Sequence, residues 1–212
     1  MNLNNSLRIL FFVTIIGLCF HEKLPAQTEK TEIFTSNKDF RTKMNKEFAD
    51  TAETPLTKEG QATFRKINFF PVKMKYYVKA KLIVTPTEEP FEMPRSKGNT
   101  GTYRKYGTAT FTLHGKSYWV SVYQFMKLAN DDKYKNYLFL PFKDMTNGKQ
   151  TYGGGRFLDL EIPEGDTLII DFNKAYNPLC CYGNPKYSCP IPPKENHLEV
   201  KILAGEKKYK GD

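Results

Sequence analysis

Before residue 70 the apolar positions of this chain recur about every fourth residue, and after residue 75 they recur every second. In the first part Phe40, Met44 and Phe48 share one face of a helix that Asn37 is placed to cap, and residues 57–67 predict a second short helix that Gly60 weakens. From Tyr76 the pattern switches: Val78, Ala80, Leu82 and Val84 alternate with Lys79 and Lys81, as in a strand with one buried and one wet face. Residues 106–113 and 117–125 predict a hairpin turning at His114-Gly115. Its second strand is apolar or aromatic on both faces, so it is expected to be central or roofed by the N-terminal helix.

Residues 137–142, 156–162, 167–173 and 197–204 complete the predicted strands, with Leu158, Leu160 and Ile162 facing Leu168, Ile170 and Phe172 across a second hairpin that turns at Pro163–Asp166. Residues 85–103 carry Pro86, Pro90, Pro94, Gly98 and Gly101 and are expected to be irregular. At least seven short strands without an intervening helix predict an all-β core, an antiparallel sandwich or barrel of about seven to nine strands, with one or two N-terminal helices. The expected organisation is a signal peptide over 1–26, a helical segment over 27–70 and a β domain over 71–212, the last two forming one globular unit.

The first residues change the expected compartment. Arg8 precedes the apolar run Ile9–Phe20, and Leu24-Pro25-Ala26 ends on a small residue, which reads as an export signal too short to span a bilayer. The mature chain is expected in the periplasm or secreted, with no membrane attachment after cleavage. Loss of Arg8, Glu22 and Lys23 takes the formal charge from +9 to +8. Because those charges are scattered, a nucleic-acid partner is not expected. Oligomeric state is not readable.

Cleavage leaves Cys180, Cys181 and Cys189, and in an oxidising compartment the expected disulfide is Cys180 with Cys189. Whether Cys181 pairs in place of Cys180 stays open. The spacing does not fit a zinc knuckle, so no metal is expected.

Chemistry must then be sought in other residues. There is no G-x-S-x-G elbow, P-loop, dinucleotide fingerprint or H-E-x-x-H, and no cofactor is expected. Tyr152, Gly153, Gly154, Gly155 and Arg156 form a glycine-rich approach to a strand, where backbone N–H groups and a guanidinium are candidates to hold an anion. Arg156 shares parity with Leu158, Leu160 and Ile162, so it points inward and requires an anionic partner from protein or ligand. Asp159, Glu161, Asp171 and Asn173 take the opposite parity, the pattern of a wet outer face or of carboxylates gathered for chemistry. Asp171–Asn196 holds five prolines and three cysteines, which predicts a stiff connection that presents Asn173, Tyr176, Asn177, Glu195 and Asn196.

The segments TYGGGRFLDL (151–160), DFNKAYNPLC (171–180), CPIPPKENHL (189–198) and AGE (204–206), preceded by LPFKDMTNG (140–148), resemble the uncharacterised bacterial and archaeal family known as domain of unknown function 1684. The resemblance implies that Arg156, Asp171, Asn173, Tyr176, Asn177, Cys180, Cys189, Glu195 and Asn196 belong to the family pattern. Cys181 departs from it, alanine being usual there, which supports Cys180 with Cys189 as the pair. It implies no activity. The sequence reading is an exported protein that binds a small polar or anionic ligand through Arg156, Tyr152 and the glycine backbone, walled by Tyr176, Asn177, Glu195 and Asn196. The alternatives are a hydrolase using Asp171 or Glu195 as general base, or a structural or interaction module.

Overall fold

The structure is a computed structural model that describes residues 23–52 and 54–209, with side chains from residue 26. The expected signal segment lies almost wholly outside the described residues. Helix α1 (Lys23–Ala49) and helix α2 (Lys58–Thr63) precede strands β1 (Tyr77–Val84), β2 (Phe91–Pro94), β3 (Thr100–Leu113), β4 (Lys116–Phe125), β5 (Tyr137–Asp144), β6 (Arg156–Glu161), β7 (Thr167–Asp171) and β8 (His197–Leu198). They form one mostly antiparallel sheet, in the order β6-β5-β4-β3-β1-β7, curled into a half-barrel; β2 pairs with β3, and β8 runs parallel to β5.

The alternating residues of every long strand face the concave side. Val78, Ala80, Leu82, Ala109, Phe111, Val120, Val122, Leu138, Leu140, Leu158, Leu168 and Ile170 are all buried there. A barrel of this size needs a filling, and here the chain supplies its own: Val200, Ile202 and Ala204 of the C-terminal segment complete that core. The predicted strand over 197–204 is therefore only two residues long. At Ile202 and Leu203 the backbone donates to side chains instead of a ladder, Ile202 N–H to Asp144 Oδ2 at 2.7 Å and Leu203 N–H to the Tyr76 hydroxyl at 3.2 Å.

Four further expectations are corrected. The β6–β7 hairpin does not form, because β6 pairs with β5 and β7 with β1, leaving the two as opposite edges of the sheet. Residues 85–103 are not wholly irregular: β2 pairs with a β3 that starts at Thr100, and Pro94 sits at the end of that edge strand, where a missing N–H costs least. Helix α1 starts well before Asn37, so Asn37 is not a cap but a fully buried mid-helix residue whose Nδ2 donates to Ile33 O at 3.0 Å. The second helix is shorter than expected, with Thr57 as its cap accepting from Gly60 N–H at 3.1 Å. The β3–β4 hairpin forms as the alternation predicts, with positive φ at His114 (51°) and Gly115 (75°) in its turn.

Outside the sheet the 171–196 connection covers the convex face. Met93, Tyr103, Tyr123, Phe139, Phe157 and Cys189 form one apolar cluster under it. Met44 and Phe48 of α1 pack with Leu56, Ile67, Cys181 and Tyr182 in another. Central strand β4 is thus roofed by the connection rather than by α1. No helix of the described residues is long and apolar enough to cross a membrane.

Candidate functional site

Arg156 points into the half-barrel, as its parity requires, and is fully buried. Its anionic partner belongs to the protein. Nη2 donates to Asp144 Oδ2 at 3.1 Å and to Ile202 O at 3.0 Å, and Nη1 donates to Ala204 O. Burial pulls the guanidinium pKa down, and the Asp144 charge opposes that shift. Both terminal nitrogens are engaged by the chain, and Nε is shut away without a partner. The expectation that Arg156 grips a ligand anion is corrected to a latch holding the C-terminal filling against the sheet. Of the preceding glycines, Gly155 has the demanding geometry: its φ is 101°, and a Cβ there would lie 2.7 Å from both Phe142 O and Pro192 Cγ. At Gly154 a Cβ would lie 2.4 Å from the ring of Tyr152, which packs against the Met44–Tyr182 cluster, whereas Gly153 has room for one.

The other expected residues are spread over separate networks. Asp171 is buried; Oδ2 accepts from Asn37 Nδ2 at 2.6 Å, and Oδ1 accepts from Asn173 N–H at 3.1 Å and Nδ2 at 2.8 Å. It ties α1 to the sheet and caps the turn Phe172–Lys174. Asn173 also brackets Lys73, accepting from its N–H at 2.9 Å and donating to its carbonyl at 3.1 Å. Glu195 is exposed and accepts from the Tyr123 hydroxyl at 2.7 Å. Asn196 is buried between strands, accepting from Ser121 N–H and donating to Ser121 O and Pro141 O, each at 2.8 Å. Pro141 has no N–H to continue the β4–β5 ladder, so this amide takes the place of a strand residue. Arg156, Asp171 and Glu195 share no partner. They do not form one site.

Cys180 and Cys189 are brought together as thiols. The Cys180 N–H donates to Cys189 Sγ at 3.1 Å, and Cys189 N–H donates to Ser96 Oγ at 3.1 Å. The Cys189 S–H hydrogen bond pulls the Cys180 pKa down to about 6, while the same bond and burial push Cys189 up.

Two cavities merit comparison. Since β6 and β7 do not pair, a cleft of about 490 Å³ opens at their seam beneath α1, lined by Glu29, Glu32, Asp159, Glu161, Asp171 and Lys174 among others. Asp159, Glu161 and Asp171 meet here as their shared parity implies, although without the hairpin. Both Tyr137 and Tyr176 donate to one Asp159 oxygen at 2.7 Å, and burial raises the pKa of each phenol. Among the described residues no group of His, Cys, Asp and Glu is arranged to hold a metal ion.

The second cavity, about 570 Å³, lies where residues 63–68 meet the C-terminal segment. Phe64, Tyr182 and Tyr209 supply aromatic wall, and Arg65, Lys66, Lys207 and Lys208 supply charge. Among the described residues none of these four cations has a carboxylate within ion-pair distance. One carboxyl, Glu206, closes the floor. It is buried, accepts from Asn177 N–H at 2.8 Å and from the Tyr182 hydroxyl, and burial raises its pKa to about 7. Gly205 permits this placement with a φ of 72°, in a spot where a Cβ would meet Ala175 O at 2.5 Å. Sequence reasoning found Asn177 and the AGE segment but missed the four cations. The available signal was a pair of dibasic steps, Arg65-Lys66 and Lys207-Lys208, too far apart in the chain to read as one cluster.

The chain is similar to a solution NMR structure of an uncharacterized protein of Haloarcula marismortui, with 33% identity, a TM-score of 0.67 and coverage of 87% of this chain and 97% of that one. Curated proteins give no match. The family model described as protein of unknown function DUF1684 matches residues 62–207, a span that carries β1 to β8, Arg156 and most of the second cavity. On that match the chain belongs to the DUF1684 family.

Proposed function

We propose that this is an exported binding protein of the cell envelope that takes a small anionic ligand into the cavity between residues 63–68 and 206–209. The carrying observation is four cations that have no carboxylate partner among the described residues, around an aromatic-walled space of about 570 Å³. That volume suits a small organic molecule. A carboxylate or phosphate would meet Arg65, Lys66, Lys207 and Lys208, and a ring would lie against Tyr182, Tyr209 and Phe64. All of these residues but Lys208 and Tyr209 fall inside the family-matched span, whereas the seam cleft depends on Glu29 and Glu32 of α1, outside it. Export rests on the basic and apolar N-terminal pattern alone.

The alternatives draw less support. Asp171 is saturated by Asn37 and Asn173, and exposed Glu195 rests on Tyr123, so neither is poised as a general base. Exposed Trp119 and Ile83 are set among Thr108, Thr110 and Lys81 rather than in a continuous apolar patch that would suit a protein partner.

Thermal unfolding with inorganic phosphate, citrate, 4-hydroxybenzoate and a sugar phosphate, against neutral and cationic analogues, tests the proposal. A ligand at a hundred times its Kd adds about 2.7 kcal/mol, which is on the order of 5–10 °C for a chain of this size. Stabilisation by anions alone is expected. Equal response to neutral analogues, or no response to any anion, overturns it.

A further inference from the structure

We propose that Cys180 and Cys189 are a redox-active dithiol, with Cys180 as the attacking thiol and Cys189 as the resolving one, converting reversibly to a disulfide by exchange with small-molecule disulfides. Three observations carry this. First, the two residues are adjacent: Cys180 N–H donates to Cys189 Sγ at 3.1 Å, in a segment held by Ser96, whose N–H donates to Cys189 O at 2.9 Å. Second, access is unequal. Cys180 is half-buried and lines a cavity of about 570 Å³ with Thr57, Gly60, Tyr152 and Gly183, while Cys189 is buried behind it. Third, the hydrogen bonds favour charge on the accessible sulfur, from the Cys189 thiol first and from Ser96 as well.

The exchange balances without any group the structure lacks, given a disulfide RSSR. The Cys180 thiolate attacks one sulfur of RSSR, forms a mixed disulfide and expels RS⁻, which takes up the Cys189 proton. The Cys189 thiolate then attacks Cys180 Sγ, forms the internal disulfide and expels the second RS⁻. The protein dithiol is oxidised and RSSR is reduced to two thiols. The cavity that Cys180 lines shares Thr63, Tyr182 and Tyr209 with the four-cation cavity, but none of the four cations lines it and neither cysteine lines the other, so thiol exchange and anion binding are read out separately.

The test is oxidised glutathione as probe on the folded, full chain. Wild type should lose two titratable thiols and yield a peptide cross-linked between residues 180 and 189, with the thiols recovered by excess reduced glutathione. Cys189→Ser should stop as a glutathione adduct on Cys180. Brief alkylation of unoxidised wild type near pH 7 should label Cys180 at least about tenfold faster than Cys189, a readout that stands if the variant fails to fold. Preferential labelling of Cys189 or Cys181, or a mixed disulfide that persists in wild type, overturns the proposal.

Discussion

At the scale of single residues, the two charges buried deepest decide most. Arg156 joins the sheet to the C-terminal filling through Asp144 and the carbonyls of Ile202 and Ala204. Removing one member of a buried pair leaves the other unpaired, so Arg156→Ala should cost on the order of 3–5 kcal/mol in chemical denaturation. Arg156→Lys should rescue little, since an ammonium cannot span the same set of acceptors. Glu206 sets a pH dependence. Its folded pKa is raised from 4.5 to about 7, so between those values the native state holds a proton that the unfolded state has released. Stability should therefore fall as pH rises through this window, by on the order of 3 kcal/mol in total. Glu206→Gln should flatten that slope in unfolding curves taken from pH 5 to pH 8. An unchanged slope would assign it to other groups. Parity told the direction of Arg156 from the sequence, but its partners lie 12 to 50 positions away, and no periodicity links them.

At the scale of elements, alternation was a reliable guide to β1 and β3 to β7, missed β2, overran β8, and misled on the pairing of β6 with β7. Leu158–Leu160 and Leu168–Ile170 do face one core, yet β6 and β7 reach it from opposite edges of a curled sheet, because a short turn joins neighbours whether or not they pair. The proline-rich 85–103 stretch hid β2, an edge strand in which proline is tolerated. The stripe on α1 was legible at Phe40, Met44 and Phe48. Asn37 broke it, and only the fold shows that a buried amide there answers Asp171 at 2.6 Å. Two substitutions test these joints. Phe48→Ala, which opens the cluster with Tyr182 and Leu56, should cost about 3–5 kcal/mol and free α1 to proteolysis before the sheet unfolds. Gly205→Ala, forced against Ala175 O with positive φ, should destabilise by more than 1 kcal/mol and loosen the floor of the four-cation cavity. If Gly205→Ala melts with wild type, the C-terminal segment is less tightly seated than the structure places it.

At the scale of the whole molecule, the curled sheet spends its concave side on its own C-terminal segment, so a ligand must be met at the periphery. The peripheral cavity lined by four cations is assembled from residues 63–68, ahead of β1, and residues 206–209 of the C-terminal segment, together with Tyr182. That division explains why the sequence points to Arg156 and the 171–196 connection: these carry the dense local signals, but Arg156, Asp171, Asn173 and Asn196 are engaged in holding the frame. The Glu206 carboxyl behind Tyr182 adds that anion affinity should weaken as pH rises past about 7, when a negative charge develops on the floor. The most direct measurement is calorimetric titration of whichever anion stabilises best, into wild type and into a Lys66→Glu/Lys207→Glu variant that retains the wild-type far-UV spectrum. One site per chain is expected in wild type, weakened at higher salt, with at least a tenfold loss of affinity in the variant. Equal affinity in the two proteins would mean that these cations do not hold the anion.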